Sequence, residues 1–363
     1  MSSINMTSEG TIGIRARLER GGWIQSAGFD GLLLIFAPLV TLPIMAGIYL
    51  RIPALAIGGF LTLAFAHYFS TVVFYFWDEN REYYRARWLA FFVGPLFLAA
   101  GVLAILSLGV PLIIPVILFF WNIWHVARQN CGILSIYRSR AGVSDQRQKI
   151  VANRTIIAVS TFLAVWNIDT HPDVAGLFGL VSDSLTRVVK IVAGVAAATF
   201  AMQLALTLLR RREPMGIPEG LFLAASLLFF YPYLFLYNSE IATVAMLLPH
   251  YVQYLALVWL LHRRKFGGAV DGAPMVLRQL SSNLWLLIPV LFVIGFSFYL
   301  LRDVSVGQGY GSVFAAIYLL VALEHFYLDG LIWSFRRPHV RQTILPFLLR
   351  RPSGASPALV SPK

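Results

Sequence analysis

Ten apolar stretches, most close to twenty residues long, divide this chain: approximately residues 31–50, 53–77, 88–109, 112–136, 152–168, 187–209, 218–238, 241–261, 284–301 and 311–335. A helix needs roughly 20 such residues to cross about 30 Å of hydrocarbon. The expected fold is therefore all-α, a polytopic transmembrane bundle of about ten spans, of which 152–168 is the shortest. Residues 1–30 read as a cytoplasmic N-terminal segment and 31–338 as the transmembrane domain. Residues 339–363 read as a cytoplasmic tail that is Pro- and Ser-rich from Pro352 and partly disordered.

Charge supports this reading. Only 13% of residues are charged and 58% are hydrophobic, with a mean hydropathy of +0.72, whereas soluble chains carry about 25% charge. The net charge of +12 would suit a nucleic-acid surface if the cations clustered on a soluble face. They follow the spans instead. With the N-terminus inside, all of the 29 Lys and Arg except Arg51, Arg187, Lys190 and Arg302 fall on inner flanks, as the positive-inside rule requires. No nucleic-acid partner is expected; the partner is the lipid bilayer, and the location is the cell's inner membrane with basic loops cytoplasmic. The lone cysteine, Cys131, excludes an internal disulfide framework. The first thirty residues contain no apolar run ending in a small-residue cleavage site, so no removable signal is expected.

Against that background the stretch Ala322 to Pro338 stands out, because Glu324, His325 and Asp329 interrupt an otherwise apolar span. Ionisable groups at such depth are costly and usually face a protein interior, pair, or bind something. His325 and Asp329 are four apart and share a helix face. That suits two ligands of one metal, and equally a buried hydrogen bond locking two helices.

The rest of the chain weighs on that choice. His67, His125, His250 and His325 are the four of seven histidines inside spans, on the second, fourth, eighth and tenth stretches. Counting to the basic residue that closes each span gives His67 to Arg81, His125 to Arg138, His250 to Arg263 and His325 to Arg336. At 1.5 Å per residue these are depths of roughly 16 to 21 Å, a single layer near mid-membrane. His262 and His339 sit among basic residues and read as solvated, and His171, beside Pro172, as a turn residue.

Neutral imidazoles offer lone pairs to a cation, and the second ring nitrogen of each needs a partner to fix its tautomer. The expected ligands are His67, His125, His250 and His325, with Asp329 as a fifth ligand or outer acceptor. Gln129, Gln253 and Glu324 are candidates for holding ring nitrogens or moving protons. Arg128 lies early for a boundary residue; it either snorkels to the inner surface, pairs with Glu324 or holds a substrate carboxylate. Tyr254, with Tyr68, Tyr251 and Tyr327, is expected to line a pocket.

Imidazoles with a carboxylate suit iron, copper or zinc. The expected cofactor is iron, mono- or dinuclear, with copper, zinc and haem as alternatives. In ligand type alone the set resembles that of carotenoid-cleaving oxygenases, whose local motifs are not matched here; the closely spaced histidine boxes of fatty-acid desaturases are absent. The expected function is an integral-membrane, non-haem iron oxidoreductase or oxygenase using O2, with or without an electron donor, on an apolar, lipid-like substrate. The other classes are a haem electron-transfer protein and a proton-coupled transporter using the His/Asp/Glu cluster.

Overall fold

The computed structural model describes residues 22–76, 78–110, 113–143, 145–170, 183–211, 215–266, 275–309 and 311–349. Their regular structure is entirely helical. The helices that position the site are α1 (Ala37–Arg51), α2 (Pro53–Val72), α3 (Leu89–Ser107), α4 (Ile113–Arg140), α5 (Gln146–Val165), α6 (Asp183–Leu209), α7 (Ile217–Leu228), α8 (Ser239–Phe266), α9 (Leu284–Gly307) and α10 (Gly311–Ile332).

Six of these, α3, α6, α7 with its continuation to Phe235, α8, α9 and α10, are long and apolar enough to cross a membrane, and α1 with the bent segment before it makes a seventh. The apolar part of α2, Leu55–Thr71, is shorter. α4 is long but carries Asn122, His125, Arg128, Gln129 and Asn130, and α5 opens on Arg147, Lys149 and Arg154. Pro232 sits at a break in the seventh stretch, because Pro cannot extend the preceding turn: α7 stops at Leu228 and a short helix, Pro232–Phe235, begins anew.

α8 is the centre. In its apolar window 78% of residues are buried, against 11% in α3 and α6 and 6% in α9. The peripheral helices present apolar side chains outward, as lipid-facing helices do. α9 lies against α2, where a methyl group on Gly295 would strike the backbone of Thr62. Phe65 and Phe298 stack across the same contact with ring centres 3.9 Å apart.

The basic end of the bundle is stitched by its own cations. Arg264 donates to the Phe347 carbonyl (2.9 Å) and to Gln25 Oε1 (2.8 Å), and Arg140 to the Leu349 carbonyl (2.9 Å). Buried Glu219 takes two bonds of 3.2 Å from Arg211 and lies 3.9 Å from Arg138. Asp30, fully buried, accepts from the Ile24 and Gln25 amides and from Tyr137 (3.1 Å). Two histidines expected to be solvated are therefore not. His262 is buried, with Nδ1 2.7 Å from the Val258 carbonyl, and His339 lies flat on Tyr83 with Nε2 2.7 Å from Asn80 Oδ1. Both sit among packed aromatic and main-chain groups, which a charge count along the sequence does not register. His171 lies outside the described residues.

Candidate metal centre

Four helices each deliver one imidazole to the same place: His67 from α2, His125 from α4, His250 from α8 and His325 from α10. Ring centres are 4.7 Å apart for His67 and His250, 5.1 Å for His250 and His125, 5.3 Å for His125 and His325, and 4.2 Å for His325 and His67. His67 and His125 face each other across 6.5 Å. With metal–nitrogen bonds of about 2 Å and each ring centre about 1 Å farther out, imidazoles on one ion have centres about 4.5 to 6.5 Å apart. Four of the five separations fall in that range, and the fifth, His67 to His325 at 4.2 Å, is slightly closer.

The hydrogen bonding is what distinguishes this cluster from ordinary packing. Both ring nitrogens of His67, both of His250, and Nε2 of His125 and of His325 are buried without a hydrogen-bond partner. Buried polar atoms are paired in the great majority of cases, and each orphan costs about 1–3 kcal/mol. So many orphans at one point call for something to bind. Ligand atoms of His67, His125 and His250 lie within 4.8 Å of one another, as do those of His125, His325 and Asp329, and the two sets share His125.

Asp329 divides its two oxygens between two tasks. Oδ2 lies 3.5 Å from His325 Nε2 and 3.9 Å from His125 Nε2, too far for hydrogen bonds and near enough to join the same ion. Oδ1 accepts from the Tyr254 hydroxyl at 2.7 Å and from Thr71 Oγ1 at 3.1 Å. Tyr254 in turn accepts from Trp333 Nε1 at 2.9 Å, and its oxygen is 2.8 Å from Thr71 Oγ1. Thr71 Oγ1 is also 3.1 Å from His325 Nδ1. With Thr71 donating to Asp329 Oδ1, its oxygen is left to accept from Nδ1–H of His325, which selects the Nδ1–H tautomer for that arrangement. The lone pair on Nε2 is then left facing the cluster.

Thr71 and Trp333 were not among the expected site residues. A signal for Thr71 was present, because the position four beyond each histidine is Thr71, Gln129, Tyr254 and Asp329 in turn, all polar and one helical turn onward. Three of the four make the network beneath the rings. Gln129 does not: its Nε2 bonds the His250 carbonyl and Gln253 Oε1, each at 3.3 Å, while Gln253 Nε2 bonds the Leu34 carbonyl at 2.6 Å. The expectation that these amides hold ring nitrogens is corrected. α4 lies near enough to α8 for the amide of Gln129 to reach main chain, so the glutamines tie helices.

On the opposite side, the hydroxyls of Tyr68 and Tyr251 meet at 3.2 Å and Tyr68 reaches Tyr318 at 3.4 Å. The Tyr251 ring is 4.9 Å from His67 and the Tyr68 ring 5.1 Å from His325. Phe326 stacks on His125 at 4.5 Å. Tyr327 points elsewhere, donating to the Ala90 carbonyl of α3 at 2.9 Å. Glu324 is half-buried and shows no hydrogen bond or ion pair to the cluster among the described residues. Arg128 is exposed over the Trp124 indole, 5.8 Å from its centre, and makes no ion pair with Glu324 among the described residues.

Comparison with protein-family models, curated proteins and solved structures returned no match. The chain's own residues define the class: an all-helical protein with membrane-length apolar helices around a buried His/Asp cluster.

Proposed function

We propose that this chain is an integral-membrane, metal-dependent oxidoreductase that uses O2 on an apolar, lipid-like substrate, with the cluster holding one iron ion. The observation that carries the reading is the convergence of buried, unpartnered imidazole nitrogens with one carboxylate oxygen. His67, His125, His250 and His325 supply the nitrogen ligands and Asp329 Oδ2 the fifth. Neutral imidazoles with a carboxylate suit iron, copper and zinc. Iron so held supplies O2 binding and activation.

The chain's own residues do the rest. Thr71 and Tyr254 hold Asp329 by Oδ1 and keep Oδ2 aimed inward. Phe326 and the Tyr68, Tyr251 and Tyr318 rings cover the cluster and exclude water, and the three phenols place hydroxyls beside it. A site enclosed by lipid-facing helices receives apolar molecules and O2 more readily than water-soluble ones. The accompanying topology is about ten spans in the cell's inner membrane, with both termini and the basic loops cytoplasmic.

A haem is disfavoured by the rings themselves. His67 and His125 are 6.5 Å apart, but His250 and His325 stand within 5.3 Å of both, where a porphyrin would have to lie.

Metal analysis of purified protein tests the proposal. Wild type is expected to hold about one iron per chain and His325→Ala almost none. Folded wild type that takes up no metal under any loading condition would sink the metal reading. Bound iron without substrate-dependent O2 consumption would sink the oxygenase alone.

A further inference from the structure

A second site lies away from the histidine cluster, at the basic end of the bundle. A cavity of about 310 Å³ is lined by Tyr83, Arg87, Arg337, Pro338, His339 and Gln342. Its wall is built rather than incidental. Buried Asn80 donates to the Phe74 carbonyl at 2.7 Å and bonds His339 Nε2 at 2.7 Å, which fixes the imidazole. The His339 ring is parallel to Tyr83 within 6° at 3.9 Å, and the Arg87 guanidinium lies 4.1 Å from the same Tyr83 ring. Two arginines therefore stand beside an aromatic stack, and among the described residues no carboxylate lines the cavity.

Four other arginines at this end are occupied. Arg138 and Arg211 serve Glu219, while Arg140 and Arg264 bond main-chain carbonyls. Arg87 and Arg337 make no ion pair among the described residues, and guanidinium forks are suited to phosphate oxygens.

Position decides what kind of phosphate. Arg87 immediately precedes α3, whose first residues turn outward: Trp88 is 55% exposed, Leu89 62% and Phe92 49%. α3 is one of the membrane-length helices, and a Trp at the start of such a helix marks the level of lipid headgroups. The cavity thus meets an apolar, outward-facing strip at the boundary where headgroup and acyl chain divide.

We propose that this cavity is a binding site for an anionic phospholipid, with the headgroup phosphate between Arg87 and Arg337 beside the Tyr83–His339 stack and an acyl chain along Trp88, Leu89 and Phe92. Basic pockets between helices at a membrane surface take lipid headgroups. A free phosphate would engage the arginines alone, whereas a phospholipid engages the outward-facing strip as well. The proposal does not depend on the metal reading.

Native mass spectrometry of the full chain, released from nanodiscs of mixed phosphatidylcholine and phosphatidylglycerol, tests it. Wild type is expected to retain one phosphatidylglycerol in preference to phosphatidylcholine. Arg87→Gln/Arg337→Gln should lose that retention by about thirty-fold, and the Lys/Lys variant should fall between. Equal retention of the two lipids by wild type, which requires no variant to fold, overturns the proposal. So does unchanged retention in a Gln/Gln variant that keeps its wild-type elution volume. Displacement of phosphatidylglycerol by inorganic phosphate at equal concentration would make the site one for free anions and overturn the lipid assignment.

Discussion

The two halves of the histidine cluster are built differently. On the His325 side, Asp329, Thr71, Tyr254 and Trp333 satisfy one another, and His325 Nδ1 joins them. On the His67 and His250 side, four ring nitrogens are buried with nothing to bond. The first half would hold together as polar packing with no ion present. The second half has no such account, so it is His67 and His250 that separate a metal centre from a locked helix interface.

That asymmetry predicts effects of opposite sign. His67→Leu or His250→Leu should abolish metal uptake, which elemental analysis would read as a fall of at least about a hundred-fold in affinity. In metal-free protein the same variants should unfold later than wild type, because an orphaned polar group has been replaced by an apolar one worth about 1–3 kcal/mol. If the rings are only packing, loss of metal would not accompany that gain.

Removing metal from wild type should lower its thermal midpoint by mass action, while His67→Leu should not respond to the same chelator. A chelator effect equal in both proteins would place the bound ion elsewhere.

The hydrogen-bonded half should answer more gently. Tyr254→Phe and Thr71→Val each remove one donor from Asp329 Oδ1, and metal affinity should fall about ten-fold while the ligands remain. Gly295→Leu should destabilise the fold by about 1–3 kcal/mol by forcing α9 from α2, with loss of metal only as far as His67 is displaced. Gln129→Leu should have the smallest effect, changing stability by about 1 kcal/mol and leaving metal content alone, since its amide meets α8 main chain rather than a ring.

The histidine layer was readable because depth along a helix is a matter of counting. Each residue advances 1.5 Å, so the distance from His67, His125, His250 and His325 to their basic ends is written in the sequence. The all-helical architecture was readable for a related reason, since long apolar runs leave few other ways to satisfy a backbone. Arg138 and Arg264 were legible as boundary residues but not as staples, because Glu219 and the Phe347 carbonyl come from distant segments.

Rotation about each helix axis was not written there. Whether Thr71 or Gln129 turns toward the cluster, whether Glu324 or Asp329 does, and whether His339 meets water or Tyr83 depend on the neighbouring helices against which each one packs. Sequence alone determined that four imidazoles lie at one level among apolar helices. Only the tertiary structure decided that they face a common point, which carboxylate oxygen joins them and which ring nitrogens are left without partners. Axial position follows from local covalent geometry, whereas facing direction is fixed by contacts between residues far apart in the chain.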